Sequence, residues 1–426
     1  MKILLLAVLV LCCLIFNNSG VKAEQNIWDL KELSKAPDYT EYNIPMYGEK
    51  SWGYAGILKK EEEREKDKEN NYVRAILYKG PDYKGRETRV FAYIGVPPVK
   101  EGKKVPGIVL VHGGGGGAFE AWVRLWNARG YAAIAMDTVG AESINEYTGK
   151  TMEQGCNSSW GDFANINEPI KDQWGYQAVA NVILANSLLR SIPEIDKDNI
   201  GITGISWGGY LTCIASSVDT RFKYAIPIYG CGYLKDYSPG TVGPLFSQPQ
   251  EDQDKWFSIW DPSVYLKERS VPIHWIVSNT DAAYYILGVK KSYECVPNNK
   301  KTLTVRDLLP HDHGNNGESQ PETLAWADYY TYGTDRMPRI TAQNFKNGIY
   351  TFKTSKNAVK AVLYTSKNPN PVGHADLTVD RTEFDFKEVA VAGCCGQVKI
   401  PEDTKVFYIN VLTEDGLEIS GNIYTL

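Results

Sequence analysis

Near-continuous apolar runs of strand length recur through the middle of the chain, at 106–111, 131–136, 200–203, 224–229 and 272–277, with longer segments between them. A strand with no polar face has to be covered on both sides, which points to a parallel sheet with helices packed on each face. One of the intervening helices is plain: Ala178, Val179, Val182, Ile183, Ala185, Leu188 and Leu189 fall at helical spacing just before the 200–203 run. The pattern predicts a doubly wound, mostly parallel α/β sheet. Upstream, 72–78 and 88–96 are rich in β-branched and aromatic residues and flank the turn signal Lys79-Gly80-Pro81-Asp82, which predicts a strand pair leading into that sheet.

After about Met337 the texture changes. All eleven Trp lie at or before Trp326, and the tail reads as short alternating strands at 359–364, 384–391, 406–412 and 417–420, with Glu414-Asp415-Gly416 as a hairpin signal between the last two. This predicts a small all-β, sandwich-like domain over 338–426. Residues 24–70 read instead as polar and irregular, and end in a mixed-sign charge run at 59–68 of the kind found on solvated surfaces.

The first residues carry Lys2, an apolar run from 3 to 16, and Val21-Lys22-Ala23, a small-residue cleavage signature. The run is shorter than the ~20 residues a bilayer requires, so 1–23 reads as a signal peptide and the mature chain as secreted or periplasmic, with no membrane contact after cleavage. Cys12 and Cys13 would leave with it. The six remaining cysteines, Cys156, Cys213, Cys231, Cys295, Cys394 and Cys395, permit disulfides in an exported protein, with a pairing that spacing does not reveal. Asn157-Ser158-Ser159 matches an N-glycosylation acceptor pattern.

Composition narrows the field. With 426 residues, 43% hydrophobic and 23% charged, the chain can bury a sizeable core, which excludes a disordered class. A net charge of −5 without a Lys/Arg stripe argues against nucleic acid as a partner. There is no C-x-x-C pair and no H-E-x-x-H, so neither a metal nor another cofactor is expected.

The most informative stretch is Gly204-Ile205-Ser206-Trp207-Gly208-Gly209, set between the 200–203 strand and an apolar helical run. A strand that turns sharply into a helix around a single Ser lifts its hydroxyl clear of the sheet, and glycines are needed where side chains would collide across the turn. Ser206 is therefore the candidate nucleophile. Upstream, the first core strand ends in His112-Gly113-Gly114-Gly115-Gly116-Gly117, whose backbone N–H groups are placed to meet an oxyanion. The N–H groups of Gly114 and Trp207 are the expected donors. A phosphate-binding reading fails for want of a G-K-[ST] ending.

The base follows by elimination among five His. His112 belongs to the glycine loop, His274 lies in an apolar strand and His374 in the β domain, which leaves His311 and His313 in Leu308-Leu309-Pro310-His311-Asp312-His313-Gly314, past the last strand at 303–305. His313 is favoured because it directly precedes Gly314. The acid should leave the preceding strand, where Asp281 ends Ser278-Asn279-Thr280-Asp281; Asp137 and Asp219 compete from less suitable strands. The order Ser206, Asp281, His313 is the one this topology calls for. Tyr147, Trp160 and Phe163, in the long connection between Asp137 and Gln173, either line a substrate wall or pack that loop onto the domain.

At these residues the chain resembles the α/β-hydrolase superfamily, and within it the acetylxylan esterase and dienelactone hydrolase-like branch, near the prolyl oligopeptidase-type hydrolases. The likeness covers roughly 85–335 and also rests on 122–137, 195–201 and 218–222. The chain thus divides into an N-terminal segment over 24–84, which the likeness does not cover, and a hydrolase domain over 85–337; the resemblance implies hydrolysis of a carboxylic ester through an acyl-enzyme, often an acetyl group on a plant polysaccharide. One departure is Trp207, where glucuronoyl esterases carry Arg. Two other readings stand beside this one: a serine peptidase, and a non-catalytic carbohydrate-binding protein on the same scaffold.

Overall fold

A computed structural model describes residues 27–44, 72–143, 149–314, 316–373 and 383–426. The expected signal peptide, the charge run, Tyr147 and His374 lie outside these residues.

The central sheet has nine strands: β1 (Tyr39–Glu41), β2 (Arg74–Lys79), β3 (Arg89–Gly95), β4 (Val105–Val111), β5 (Ala132–Met136), β6 (Ile195–Ile205), β7 (Ala225–Ile228), β8 (Ile273–Ser278) and β9 (Lys301–Arg306). Their order is β1-β2-β3-β5-β4-β6-β7-β8-β9. Pairing is antiparallel from β1 through β3 to β5 and parallel from β5 to β9. The predicted mostly parallel sheet is thus present. Strands β4, β5, β7 and β8 are buried almost throughout, as their unbroken apolar runs require.

Helices α1 (Glu120–Ala128), α2 (Trp174–Ser191), α3 (Trp207–Val218), α4 (Gln250–Trp260), α5 (Ile286–Cys295) and α6 (Pro321–Tyr332) accompany the sheet. Residues 27–44 are more ordered than the polar composition of that part of the chain suggested. Residues 30–33 form a helical turn, Trp28 is buried and stacks on Tyr176 of α2 with ring centroids 5.3 Å apart, and β1 extends the sheet by one short strand. A lone aromatic anchor and three paired residues leave too little periodicity to be read locally.

The C-terminal region forms two antiparallel sheets. One is built from β10 (Ile340–Lys346), β11 (Ile349–Thr354), β15 (Cys395–Lys399) and β14 (Val391–Ala392); the other from β13 (Asp385–Val389), β12 (Ala358–Ser366), β16 (Val406–Thr413) and β17 (Glu418–Ser420), with β18 (Tyr424–Thr425) on β16. Tyr350, Phe352, Leu363, Phe407, Ile409 and Val411 form a core of their own. The hairpin at Glu414-Asp415-Gly416 is present, with Gly416 at φ +73°. β10, β11 and β15, which the hydrophobic pattern did not mark, interleave polar residues with partly buried ones.

This region also covers the outer edge of β9, which among the described strands pairs with β8 alone. Ser420 Oγ accepts from the Val305 N–H at 2.7 Å, Asn410 Nδ2 donates to the Val305 carbonyl at 2.7 Å, and Thr304 Oγ1 donates to the Glu418 carbonyl at 2.8 Å. The main-chain groups of Val305 on this edge are thereby taken up and unavailable for pairing with another chain. Beside them the Arg306 guanidinium bridges Glu322 at 2.5 Å and Glu418 at 3.0 Å, while burial pushes the Glu418 carboxyl up to about 7.

Candidate active site

Ser206 sits between β6 and α3 with φ 58° and ψ −119°. A non-glycine residue pays ~1–3 kcal/mol for such a backbone, and it persists only where its surroundings enforce it. Here they do. The Ser206 N–H donates to the Ile228 carbonyl at 2.9 Å, and a Cβ on Gly204 would overlap the Gly208 backbone. A Cβ on Gly208 would in turn overlap the Val111 carbonyl at the end of β4. The elbow is main chain packed on main chain, which is why its glycines are legible in sequence.

The glycine loop after β4 lies alongside. His112 is fully buried: its Nδ1–H donates to the Gly113 carbonyl at 2.8 Å, and its Nε2 accepts from the Thr138 N–H at 3.1 Å. Burial pulls its imidazole down to about 4, so it remains a neutral strut. Gly114 lies under the Trp207 indole, since a Cβ there would come within 2.7 Å of Cδ1. Among the described residues, no protein acceptor takes the N–H of Gly114 or of Trp207, the first residue of α3. Both donors are thus available near Ser206.

Across the cleft, Asp281 is buried after β8. Its Oδ1 accepts from the N–H groups of Ala283 at 2.7 Å and Tyr284 at 2.9 Å, while its Oδ2 accepts from His311 Nδ1 at 2.9 Å. A carboxylate only accepts, so His311 carries its proton on Nδ1 and leaves Nε2 with a lone pair. The ring is flanked by Tyr229 (centroids 4.8 Å apart) and by Tyr284, stacked at 6.2 Å. Ser206, Trp207, Gly114, Asp281 and His311 all line one cleft of about 760 Å³.

The pairing differs from the one expected in sequence, where His313 was favoured over His311. His313 turns away from Asp281. Its Nε2 accepts from the Gly113 N–H at 3.2 Å and its Nδ1 donates to the buried Glu318 at 3.2 Å, with Phe119 against the ring at 4.6 Å. Both nitrogens thus have a partner within the protein, with Nε2 placed beside Ser206 across Gly113. Glu318 had not been singled out, since nothing at the sequence level separates it from other carboxylates in that loop. The competing acids are also committed elsewhere. Asp137 Oδ1 accepts from three backbone N–H groups of its own turn, at Val139, Gly140 and Ala141, and Asp219 pairs with Arg221 and Asn186.

Of the loop aromatics, Phe163 is buried against Trp256 and Trp207, whereas Trp160 lines the cleft. A contribution from the tail was not anticipated. Gly373 abuts the main chain of Asp281 so closely that any Cβ would overlap the Asp281 carbonyl. Among the described residues the six cysteines are unpaired, with the sulfurs of the adjacent Cys394 and Cys395 4.0 Å apart.

Comparison with known proteins adds the following. Dipeptidyl-peptidase 5 of Porphyromonas gingivalis is 26% identical over 172 residues, covering 39% of this chain and 21% of that protein. Alpha/beta hydrolase psoB of Aspergillus fumigatus is 25% identical over 187 residues, covering 42% of this chain and 37% of that protein. The chain thus spans well under two thirds of either relative's length. Among solved structures, an acetyl xylan esterase from Paenibacillus sp. R4 superposes with a TM-score of 0.48 at 17% identity, covering 72% of this chain and 99% of its own. The acetyl xylan esterase (AXE1) family model matches residues 58–273, from between β1 and β2 to the start of β8. That match takes in the glycine loop and the serine elbow together, over half of the chain, and the chain belongs to the acetyl xylan esterase family.

Proposed function

We propose that this protein hydrolyses carboxylic esters through an acyl-enzyme on Ser206, with His311 rather than His313 as the base. The observation that carries the reading is the Asp281–His311 pair, with a free Nε2, lining the same cleft as a strained serine. In the reaction, Ser206 Oγ attacks the ester carbonyl and passes its proton to His311 Nε2, while the N–H groups of Trp207 and Gly114 take up the charge on the carbonyl oxygen. The C–O bond to the alcohol breaks and the leaving oxygen receives that proton. Water then repeats the sequence on the acyl-enzyme and releases the acid. Asp281 fixes the ring tautomer and stabilises the transient imidazolium.

Family membership favours acetyl groups on a polysaccharide as the substrate and, with the N-terminal pattern, action outside the cytoplasm. The test is labelling by a fluorophosphonate together with turnover of p-nitrophenyl acetate. Ser206→Ala should abolish labelling and lower kcat by about 10³-fold or more. A blocked peptide amide cleaved faster than the ester would favour the peptidase reading instead, and wild-type protein that neither labels nor turns over would favour a binding protein.

A further inference from the structure

The cleft at Ser206 has a neighbour. A second hollow of about 490 Å³ adjoins the glycine loop at Gly115 and Gly116 and shares Gly115 and Trp160 with the first. The ridge between them is bare main chain: Gly115 has φ +75°, and a Cβ on it would meet nothing within 4 Å. Thr151, Asn157, Ser158, Ser159 and Asp162 line the second hollow, and Trp160 is its half-buried aromatic wall. Asp162 is the one charged residue among those lining it. Its backbone is left-handed at φ +39°, and its Oδ1 is held by Asn165 Nδ2 at 2.6 Å.

We infer that this hollow is a binding subsite for the alcohol half of the ester, and that the alcohol is a neutral glycan chain. The inference rests on the esterase reading, because it takes the scissile carbonyl to lie at Ser206. From there, a substrate longer than one sugar has an open path across Gly115, where no side chain intrudes. A pyranose offers a C–H face and a rim of hydroxyls, and the hollow answers with an indole wall and a set of short hydroxyl, amide and carboxylate groups, the usual complement of a polar ligand site. The hydroxyls and amide of Thr151, Ser158, Ser159 and Asn157 can pair with sugar hydroxyls, while the Asp162 carboxylate, with Oδ2 buried and Oδ1 on Asn165, repels an acidic sugar through its charge. The wall comes from Trp160, which faces both hollows, so a chain seated beyond the ridge also helps hold the acetylated sugar in the cleft.

The test uses the full chain in two parts. First, kcat/KM is measured on acetylated xylo- and manno-oligosaccharides and on p-nitrophenyl acetate, for wild type and Trp160→Ala. The ratio of oligosaccharide to small-ester kcat/KM should fall about tenfold or more in the variant. Second, deacetylated oligosaccharides are titrated into Ser206→Ala by calorimetry. Neutral oligosaccharides should bind, a uronic-acid oligosaccharide should bind more weakly, and in the Ser206→Ala background Ser159→Ala should weaken neutral binding while Asp162→Asn should narrow the gap between neutral and acidic oligosaccharides. An unchanged ratio, with no binding of either neutral oligosaccharide, would overturn the subsite while p-nitrophenyl acetate turnover still supports the esterase. Absence of p-nitrophenyl acetate turnover and of labelling at Ser206 would overturn the esterase reading itself.

Discussion

Within three residues, the loop after β9 supports two opposite environments. On its cleft side His311 is held by one carboxylate, lies between two tyrosines and lines the same cleft as Ser206 with its other nitrogen uncommitted. On its inner side His313 has a carboxylate of its own, yet its second nitrogen accepts the Gly113 N–H, so it ties the loop to the glycine segment after β4. A histidine–carboxylate pair is therefore no mark of a base in itself. What distinguishes the two is whether the remaining lone pair is already spent.

The sharpest way to break this contrast is to remove each ring in turn. His311→Ala should lower kcat for ester hydrolysis about 10⁴-fold, with folding intact by circular dichroism, because the proton of Ser206 loses its acceptor. A comparable loss from His313→Ala, with His311→Ala active, would reverse the assignment. His313→Ala should instead lower kcat about ten- to hundredfold with little change in KM, through a loosened Gly113–Gly114 segment. Its melting should report about 1–3 kcal/mol of lost stability, the cost of an orphaned N–H and a buried carboxylate without its partner.

A third histidine sharpens the comparison from outside. His274, buried in β8, hydrogen-bonds Thr302 at 2.8 Å, and burial pulls its imidazole from 6.5 down to about 3. Below about pH 6.5 the unfolded chain binds a proton that the native ring refuses, so this residue's contribution to stability is intact above that pH and is lost as pH falls toward 3. His274→Gln should leave kcat/KM within about twofold and remove about 1.4 kcal/mol per pH unit from the acid slope of stability in that window, as read by denaturant titration. A variant whose acid slope matches wild type would show that the ring protonates in the native state.

What could be read from sequence divides along physical lines. The elbow and glycine loop were legible because backbone-on-backbone packing admits glycine alone at Gly204 and Gly208, which leaves a fixed local signature. The parallel strands were legible because burial on both faces erases polar positions. The partner of Asp281 was not, because His311 and His313 share one tripeptide and their directions are set by the course of a loop that includes Leu308 at φ +51° and by Glu318 beyond it. The sealing of β9 was equally hidden, since Asn410 and Ser420 meet Val305 only across more than a hundred residues.

The close approach of Gly373 to Asp281 bears on how such a chain can be remodelled over generations. A tail that merely hung from the hydrolase could be exchanged for another by recombination at the junction, with the acid untouched. Here the replacement would have to bring a residue without a side chain to that place, and polar groups to the exposed margin of the last strand, in a single event. Inheritance of the tail is thereby tied to inheritance of the acid it backs.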